Sequence, residues 1–190
     1  MYNKKEMKKL EVEKIKTNKQ IEYYQEIGST HTYAKEIAKE KKEKILIAEV
    51  QTAGIGTKGR NWYTGKGKNI AMTIITYPSC KVSGLEGLTT KIAQAIQKAI
   101  SKLYGYKLTI KEPNDLMLYG KKICGILTEV HSQGEKIEYL LISFGFNVNE
   151  ENFSEETKEI ATSLKKEYQK EFSREEIINQ ILEEIEKIEF

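Results

Sequence analysis

Short strand-like segments follow one another between positions 108 and 147, with only tight turns between them. Their apolar residues alternate with polar ones, and Gly120 and Gly134 stand where the chain has to reverse direction. Consecutive hairpins are incompatible with a doubly wound fold, in which strands and helices alternate regularly. We therefore predict an α+β fold in which helices pack on a mixed β-sheet.

The rest of the chain supplies further strands and the helices. Strand patterns cover 20–27, 45–50 and 69–77, and a helix is expected after Ser29 or Thr30, either of which can cap it. A second helix is predicted over 85–103, ending before Gly105, and the tail from Glu155 onward is predicted to be helical. A length of 190 residues suits one domain. We assign 1–190 to a single domain with a charged N-terminal segment, 1–19, and C-terminal helices over 155–190.

Composition argues against several classes of function. The net charge is only +3, and acidic residues interrupt even the lysine-rich first twenty positions. This pattern indicates a solvated surface, so we predict no nucleic-acid partner. We expect neither a membrane span, which needs roughly 18 apolar residues, nor a signal peptide. Because Cys80 and Cys124 form no spaced cluster, we predict no disulfide framework and no zinc site, and the expected compartment is the cytoplasm.

A glycine-rich loop over 51–68 separates two strand patterns. Its GIGTKG segment at 54–59 matches a dinucleotide-binding motif, but that motif requires a helix to begin at the last glycine, and the following RNWYTGKG is a poor helix start. No G-K-S/T motif of a P-loop is present. The loop does carry Lys58, Arg60, Lys66 and Lys68 among glycines, which suits it to close over an anionic ligand. The alternative is a mobile surface loop with ordinary lysines.

The sequence contains four segments whose order and spacing are specific in combination. They are GST at 28–30, QTAGIGTKGRNW at 51–62, KEPNDL at 111–116 continuing into KKICGILTE at 121–129, and GFNVN at 145–149. Together they resemble the catalytic domain of biotin–protein ligases, from about Gln20 to about Asn149. The resemblance implies an enzyme that uses ATP and Mg²⁺ to convert biotin to biotinyl-5'-AMP. Such an enzyme then transfers the biotin to a lysine of a biotin carrier protein, such as that of acetyl-CoA carboxylase.

The resemblance also implies the residues of a biotin site. Ser29, Thr30 and Gln51 would bind the polar ureido ring, and Lys122 would pair with the carboxylate of biotin. The other implied contacts come from the loop and from one strand glycine: Gly54, Ile55, Gly56, Thr57 and Gly125. Without the resemblance, Ser29 and Thr30 are simple helix caps and Lys122 is a surface lysine on a strand.

The resemblance assigns a second group to ATP. This group comprises Lys58, Arg60, Trp62, Asn114, Asp115 and Asn147. Lys122, Arg60 and Asp115 would be the catalytic residues, with Asp115 also serving as a metal ligand and as a candidate base for the carrier lysine. Trp62 is equally compatible with an anchor in the core. His31 and His131 match no part of the motif, and we interpret both as ordinary polar residues.

The sequence departs from the family pattern at several positions. Ile55 and Thr57 stand where arginine is common, and Glu112 stands where an aromatic residue is common. Fewer cationic donors predict weaker retention of biotinyl-AMP, which the release rate of the isolated intermediate would test. We also expect neither the C-terminal β-barrel domain nor the N-terminal DNA-binding domain of some relatives, and a monomer or homodimer. Two alternatives stay open: a lipoate or octanoate ligase of the same fold, and a biotin-binding protein without catalytic turnover.

Overall fold

The structure is a computed structural model that describes residues 9–189. Its strands are β1 (Gln20–Tyr24), β2 (Lys44–Ala48), β3 (Ile70–Thr76), β4 (Thr109–Lys111), β5 (Asp115–Leu118), β6 (Lys121–Gln133) and β7 (Lys136–Phe146). Its α-helices are α1 (Thr30–Ile37), α2 (Leu88–Tyr104), α3 (Leu164–Tyr168) and α4 (Arg174–Ile185). No helix among these residues is long and apolar enough to cross a membrane.

The seven strands form one mixed sheet in the order β1-β2-β3-β7-β6-β5-β4. β1 and β2 are parallel because α1 carries the chain from one strand to the next, as parallel pairing requires. All other neighbours are antiparallel, and the β6–β7 hairpin runs through the middle of the sheet. This arrangement confirms the prediction of an α+β fold with a mixed sheet.

The two faces of the sheet are covered differently. One face packs against α2 and α4 in a large core that includes Ile45, Ile47 and Ile142. On the other face, Leu46 and Leu141 pack against α1 in a smaller cluster. Side chains of a strand point alternately to the two faces, so β2 has to be apolar along most of its length to be buried on both sides. α1 covers only part of the second face, and the rest lies under the glycine-rich loop.

The element boundaries confirm most of the sequence predictions and correct one. The side chain of Ser29 caps α1 by accepting a hydrogen bond from Thr32 N, and Gly105 ends α2 with a φ of 72°. The prediction that the tail is helical from Glu155 onward is wrong, because 155–160 forms turns and helix begins only at Leu164. Of the charged N-terminal segment, positions 1–8 lie outside the described residues.

A buried ion pair between Glu49 and Arg174 joins distant parts of the chain. Arg174 Nη1 lies 2.7 Å from Glu49 Oε2, and both side chains are almost fully buried. The same carboxylate accepts hydrogen bonds from Leu10 N, Tyr23 Oη and Gly67 N. It therefore connects the N-terminal segment, β1, the end of the glycine-rich loop and the first turn of α4. Burial would raise the pKa of Glu49, but the hydrogen bonds from Arg174 and Tyr23 lower it below its usual range.

Replacing Glu49 with glutamine should destabilise the protein strongly, because Arg174 would keep its charge in a buried site without a countercharge. Breaking one partner of a buried pair costs about 3–5 kcal/mol. The free energy of unfolding from urea titrations measures this loss. In the native protein, the contribution of Glu49 to stability should be complete above the ordinary glutamate pKa of about 4.3, and it should be lost as the pH falls through the lower pKa of the folded state.

Glu183→Gln, which removes an exposed ion pair with Lys187, is the matched control and should change stability little. Equal effects of the two substitutions would contradict the role assigned to Glu49.

Candidate functional site

A cleft lies between the glycine-rich loop and the part of the sheet that α1 leaves open. Its cavity is about 40 Å³. It is lined by residues of α1, the loop, β3, the β4–β5 turn, β6 and β7: Thr30, His31, Gln51, Ile55, Gly56, Thr57, Trp62, Met72, Asn114, Lys122, Gly125, Ile126, Leu127, Ser143, Phe144 and Gly145. The cleft therefore brings together nine residues that the sequence predicted for biotin or ATP, from segments far apart in the chain.

The start of α1 and the first residue of the glycine-rich loop form a polar corner of this cleft. Gln51 Oε1 accepts hydrogen bonds from Thr30 N at 2.8 Å and from Thr30 Oγ1 at 3.0 Å. The side-chain amide of Gln51 in turn reaches Thr64 Oγ1 at 3.4 Å. Ser29 is buried beside them, but its hydroxyl caps α1 and does not line the cavity. The corner thus presents both donors and acceptors to a ligand.

Lys122 supplies the cation of the cleft. Its Nζ lies 2.7 Å from Asp115 Oδ1 across the β5–β6 hairpin and 5.4 Å from the centre of the Trp62 ring. Asn114 Nδ2 donates to the same Asp115 oxygen at 3.0 Å, and it lies 3.4 Å from Thr57 Oγ1 in the loop. An ammonium held by one carboxylate and one aromatic face can exchange these contacts for an anionic ligand.

Two glycines of the sheet make room for the indole of Trp62. Gly125 on β6 and Gly145 on β7 are paired in register, and the indole lies directly over them. A Cβ at Gly125 would lie 2.9 Å from the ring, and a Cβ at Gly145 would overlap it. The indole Nε1 is buried without a hydrogen-bond partner among the described residues. Trp62 therefore fills part of the cleft, which explains why a site with so many lining residues has so small a cavity.

Two loop residues predicted for the ligands, Gly54 for biotin and Arg60 for ATP, do not line the cavity. Arg60 is exposed, and its guanidinium donates to the Thr57 hydroxyl at 3.2 Å instead of pointing into the cleft. Gly54 is packed against the Trp62 carbonyl at the base of the loop, where no side chain fits. The side chain of Lys58 lies outside the described residues.

Asn147 also lies apart from the cavity. Its side-chain amide donates to the Thr162 carbonyl at 3.1 Å, and its backbone N–H donates to the Ile123 carbonyl at 2.8 Å. These bonds attach the end of β7 to the segment that leads into α3. The nucleotide roles of Asn147, Arg60 and Lys58 stay predictions.

The interpretation of His31 as an ordinary polar residue is wrong. His31 is buried, its Nδ1 lies 2.8 Å from Ser143 Oγ, and its Nε2 lies 3.1 Å from Glu129 Oε2. Sequence reasoning also missed Ser143 and Gly145 as cleft residues. Their alternate positions on β7 signal that they share one face, but only the sheet register shows that this face meets α1 and the loop. His131, by contrast, is exposed and paired with Glu138, as an ordinary polar residue would be.

Residues 23–147 match the family described as the Biotin/lipoate A/B protein ligase family. The matched segment includes the glycine-rich loop, the β5–β6 hairpin and every residue that lines the cleft. This chain belongs to that family. Family membership explains why the four sequence segments converge on one site.

Two curated relatives are similar to the chain. The bifunctional ligase/repressor BirA of Bacillus subtilis is 33% identical over 164 residues, which are 84% of this chain and 50% of that protein. The biotin–[acetyl-CoA-carboxylase] ligase of Paracoccus denitrificans is 32% identical over 105 residues, which are 54% of this chain and 43% of that protein. The chain thus spans about half the length of the curated relatives it matches.

Two solved structures resemble this one in fold. The biotin protein ligase of Aquifex aeolicus in complex with biotin and ATP has a TM-score of 0.75 at 25% identity, over 89% of this chain and 69% of that one. The biotin protein ligase of Leishmania major in complex with biotinyl-5-AMP has a TM-score of 0.73 at 25% identity, over 88% of this chain and 74% of that one. The sheet and helices described above are therefore those of biotin protein ligase catalytic domains.

An alanine at position 145 should displace the indole of Trp62, because its Cβ would overlap the ring. Trp62 is the only tryptophan in the chain, so its fluorescence reports this contact directly. We expect a red-shifted emission maximum and stronger quenching by acrylamide. Gly28→Ala is the matched control, since a Cβ at that position meets no atom within 4 Å. If Gly145→Ala leaves the emission and quenching unchanged, the indole does not lie over β7.

Proposed function

We propose that this protein activates biotin with ATP to form biotinyl-5'-AMP and transfers the biotin to a lysine of a biotin carrier protein in the cytoplasm. The observation that carries the proposal is one cavity lined by both the Thr30–Gln51 polar corner and the ammonium of Lys122. Biotin has a cyclic urea at one end and a carboxylate at the other, so it needs hydrogen-bonding partners at one end and a cation at the other. The family assignment and the named biotin ligases support the same function.

The polar corner is suited to the ureido ring. The ring offers a carbonyl oxygen, which needs a donor, and two N–H groups, which need acceptors. The hydroxyl of Thr30 can donate to the carbonyl, and Gln51 Oε1, released from that hydroxyl, can accept from an N–H. Ile55 and Leu127 supply apolar contacts in the same cavity. Because the indole of Trp62 fills part of this space, we infer that biotin enters when the indole moves off Gly145.

In the first step, a carboxylate oxygen of biotin bonds to the α-phosphorus of ATP, and the bond from that phosphorus to pyrophosphate breaks. Two anions have to approach each other, so the barrier falls when a cation is fixed beside the reacting oxygens. Lys122 is the residue that we assign to this role, exchanging its contact with Asp115 for the carboxylate of biotin. Arg60 would reach the phosphates only after the loop turns its side chain away from Thr57.

Mg²⁺ is proposed to accompany ATP. No group of three or more His, Cys, Asp or Glu side chains within 9–189 is arranged to hold a metal ion. Mg²⁺, however, is commonly held by one or two carboxylates together with the phosphates of a substrate. Asp115 is a largely buried carboxylate beside the cleft and fits that role once Lys122 has turned toward biotin.

In the second step, the amine of the carrier lysine attacks the carbonyl carbon of biotinyl-AMP, and AMP leaves. The amine has to lose a proton, although the pKa of a free lysine is about 10.4. We propose Asp115 as the base that accepts this proton. Its position next to Lys122 supports the assignment, because that ammonium marks where the reacting carbonyl would lie.

A lipoate or octanoate ligase is the alternative within the same family. Lipoate and octanoate have a carboxylate but no ureido ring, so they would leave the Thr30–Gln51 corner without a polar partner. A biotin-binding protein without turnover is the second alternative. It would use the polar corner but would not need the Lys122–Asp115–Asn114 group at the other part of the cleft.

Exchange of pyrophosphate into ATP with Mg²⁺, measured with biotin and with lipoate in parallel, separates these functions. We expect exchange that depends on biotin. Lys122→Met should reduce it by about 10²–10³-fold, the usual cost of removing a group that stabilises charge in a transition state. Lys121→Met is the matched control, because the amine of Lys121 bonds to the Lys158 carbonyl outside the cleft. Exchange with lipoate alone would indicate the lipoate branch, and tight biotin binding without exchange would indicate a binding protein.

Asp115→Asn should slow transfer more than adenylation. The amide cannot accept a proton, and loss of a general base costs about 10²–10⁴-fold. Adenylation should suffer less, because the carbonyl oxygen of asparagine can still bind Mg²⁺ and Lys122 loses the partner that competes with biotin. Single-turnover rates of biotinyl-AMP formation and of its reaction with a carrier domain measure the two steps separately. Equal losses in both steps would exclude Asp115 as the base for transfer.

A further inference from the structure

A chain of buried hydroxyl groups links the polar corner of the cleft to His31. Thr73 Oγ1 lies 2.9 Å from Thr30 Oγ1 and 2.8 Å from Ser143 Oγ, and Ser143 Oγ lies 2.8 Å from Nδ1 of His31. Together with the bond from Thr30 to Gln51, the chain passes from α1 through β3 and β7 and returns to α1. Each hydroxyl has a single proton, so the direction of one bond determines the direction of the next.

In the observed geometry the direction of the chain is set at its Gln51 end. The backbone N–H of Thr30 can only donate, so the atom of Gln51 that faces it has to be the oxygen. As long as the Thr30 hydroxyl donates to Gln51, Thr73 has to donate to Thr30. Ser143 then donates to Thr73, which leaves His31 to donate its Nδ1 proton to Ser143.

The other ring nitrogen of His31 faces a carboxylate. Nε2 lies 3.1 Å from Glu129 Oε2, and Lys35 Nζ lies 2.6 Å from the same oxygen. The charged groups facing His31 are thus Glu129 on β6 and Lys35 on α1. A bond to Glu129 requires a proton on Nε2, whereas the hydroxyl chain requires one on Nδ1. Both requirements are met together only when the imidazole is positively charged.

We propose that His31 is a positioning residue whose Nδ1 proton orients the Thr30 hydroxyl as a donor toward the ligand, and that Glu129 competes for this proton. When His31 is neutral, the charge-assisted bond to Glu129 keeps the remaining proton on Nε2. Ser143 then turns its proton to Nδ1, Thr73 turns to Ser143, and Thr30 turns to Thr73. The cleft loses its hydroxyl donor without any change in backbone structure.

The consequence is a biotin affinity that depends on pH, an inference that rests on the proposed biotin site. Burial lowers the pKa of His31, although the bond to Glu129 opposes this effect. The protonated form, which orients Thr30 toward the ureido carbonyl, is therefore populated in free protein only at pH values below the ordinary pKa of histidine. Because biotin favours that form, its affinity should rise as the pH falls. One neutral hydrogen bond corresponds to about a three- to tenfold change.

Isothermal titration calorimetry with biotin, from about pH 8 to about pH 5, tests the proposal on the intact chain. The range extends well below the ordinary pKa of histidine because burial lowers the pKa of His31. Free carboxylates, whose pKa values are about 4, stay largely ionised over this range. We expect the affinity of the native protein to rise by about three- to tenfold toward acid pH. In Glu129→Ala, no carboxylate holds a proton on Nε2, so the neutral ring can keep its proton on Nδ1 and donate it to Ser143. This variant should bind biotin with an affinity that stays high across the range.

A pair of histidine variants supplies the control. In His31→Asn, an amide nitrogen takes the place of Nδ1 and does not titrate, so the pH dependence should disappear while biotin still binds. His131 is exposed, and it contacts Glu138 and Tyr139, which do not line the cleft. His131→Asn should therefore keep the pH dependence of the native protein. The chain has two histidines, so this pair assigns any histidine titration to one of them.

The outcomes separate this inference from the function on which it rests. Biotin binding that is independent of pH in the native protein would overturn the role of His31 and leave the proposed function intact. A pH dependence that persists unchanged in Glu129→Ala and in His31→Asn would assign the titration to another group and also overturn it. No biotin binding at any pH would overturn the proposed function itself.

Discussion

The buried pair of Glu49 and Arg174 is the interaction on which the arrangement of the site depends. Glu49 stands directly after β2, and its carboxylate holds the backbone of Gly67 at the far end of the glycine-rich loop. Arg174 brings α4 to the same point, and Leu10 brings the N-terminal segment. The loop is thereby fixed at both ends to the sheet, while its middle is free of such buried ion pairs in the described residues. A loop held in this way can open and close over a ligand without disturbing the core.

A second constraint comes from the surface beneath the loop. The paired glycines 125 and 145 leave a flat patch of sheet that holds an indole in this structure and that we expect to hold a ligand in its place. Lys122 is close enough to contact both the indole and Asp115. The absence of side chains at these two glycines thus lets the indole of Trp62 pack on the sheet in the free protein and lets the ligand bind there in the complex. This explains why glycine is required at positions in the interior of strands, where it is otherwise unfavourable.

The sequence was sufficient to predict the fold and several of the residues that meet in the cleft, because both depend on local patterns. Alternation identified the hairpins, Ser29 and Gly105 marked helix ends, and the four segments identified the family. Other features depend on contacts between distant residues, which no local pattern records. The burial of His31 follows from the register between β6 and β7, and the position of Arg60 follows from a bond within the loop. The tail after Glu155 has helical composition, yet it forms turns where its backbone pairs with Lys122.

The measurement that tests the account most directly is a crystal structure of the protein with bound biotin. We predict that the ureido ring lies within hydrogen-bonding distance of Thr30 and Gln51, that the carboxylate contacts Lys122 Nζ, and that the indole of Trp62 has left Gly145. Biotin bound elsewhere, or bound here with its carboxylate away from Lys122, would contradict the assignment of this cleft as the site of biotin activation.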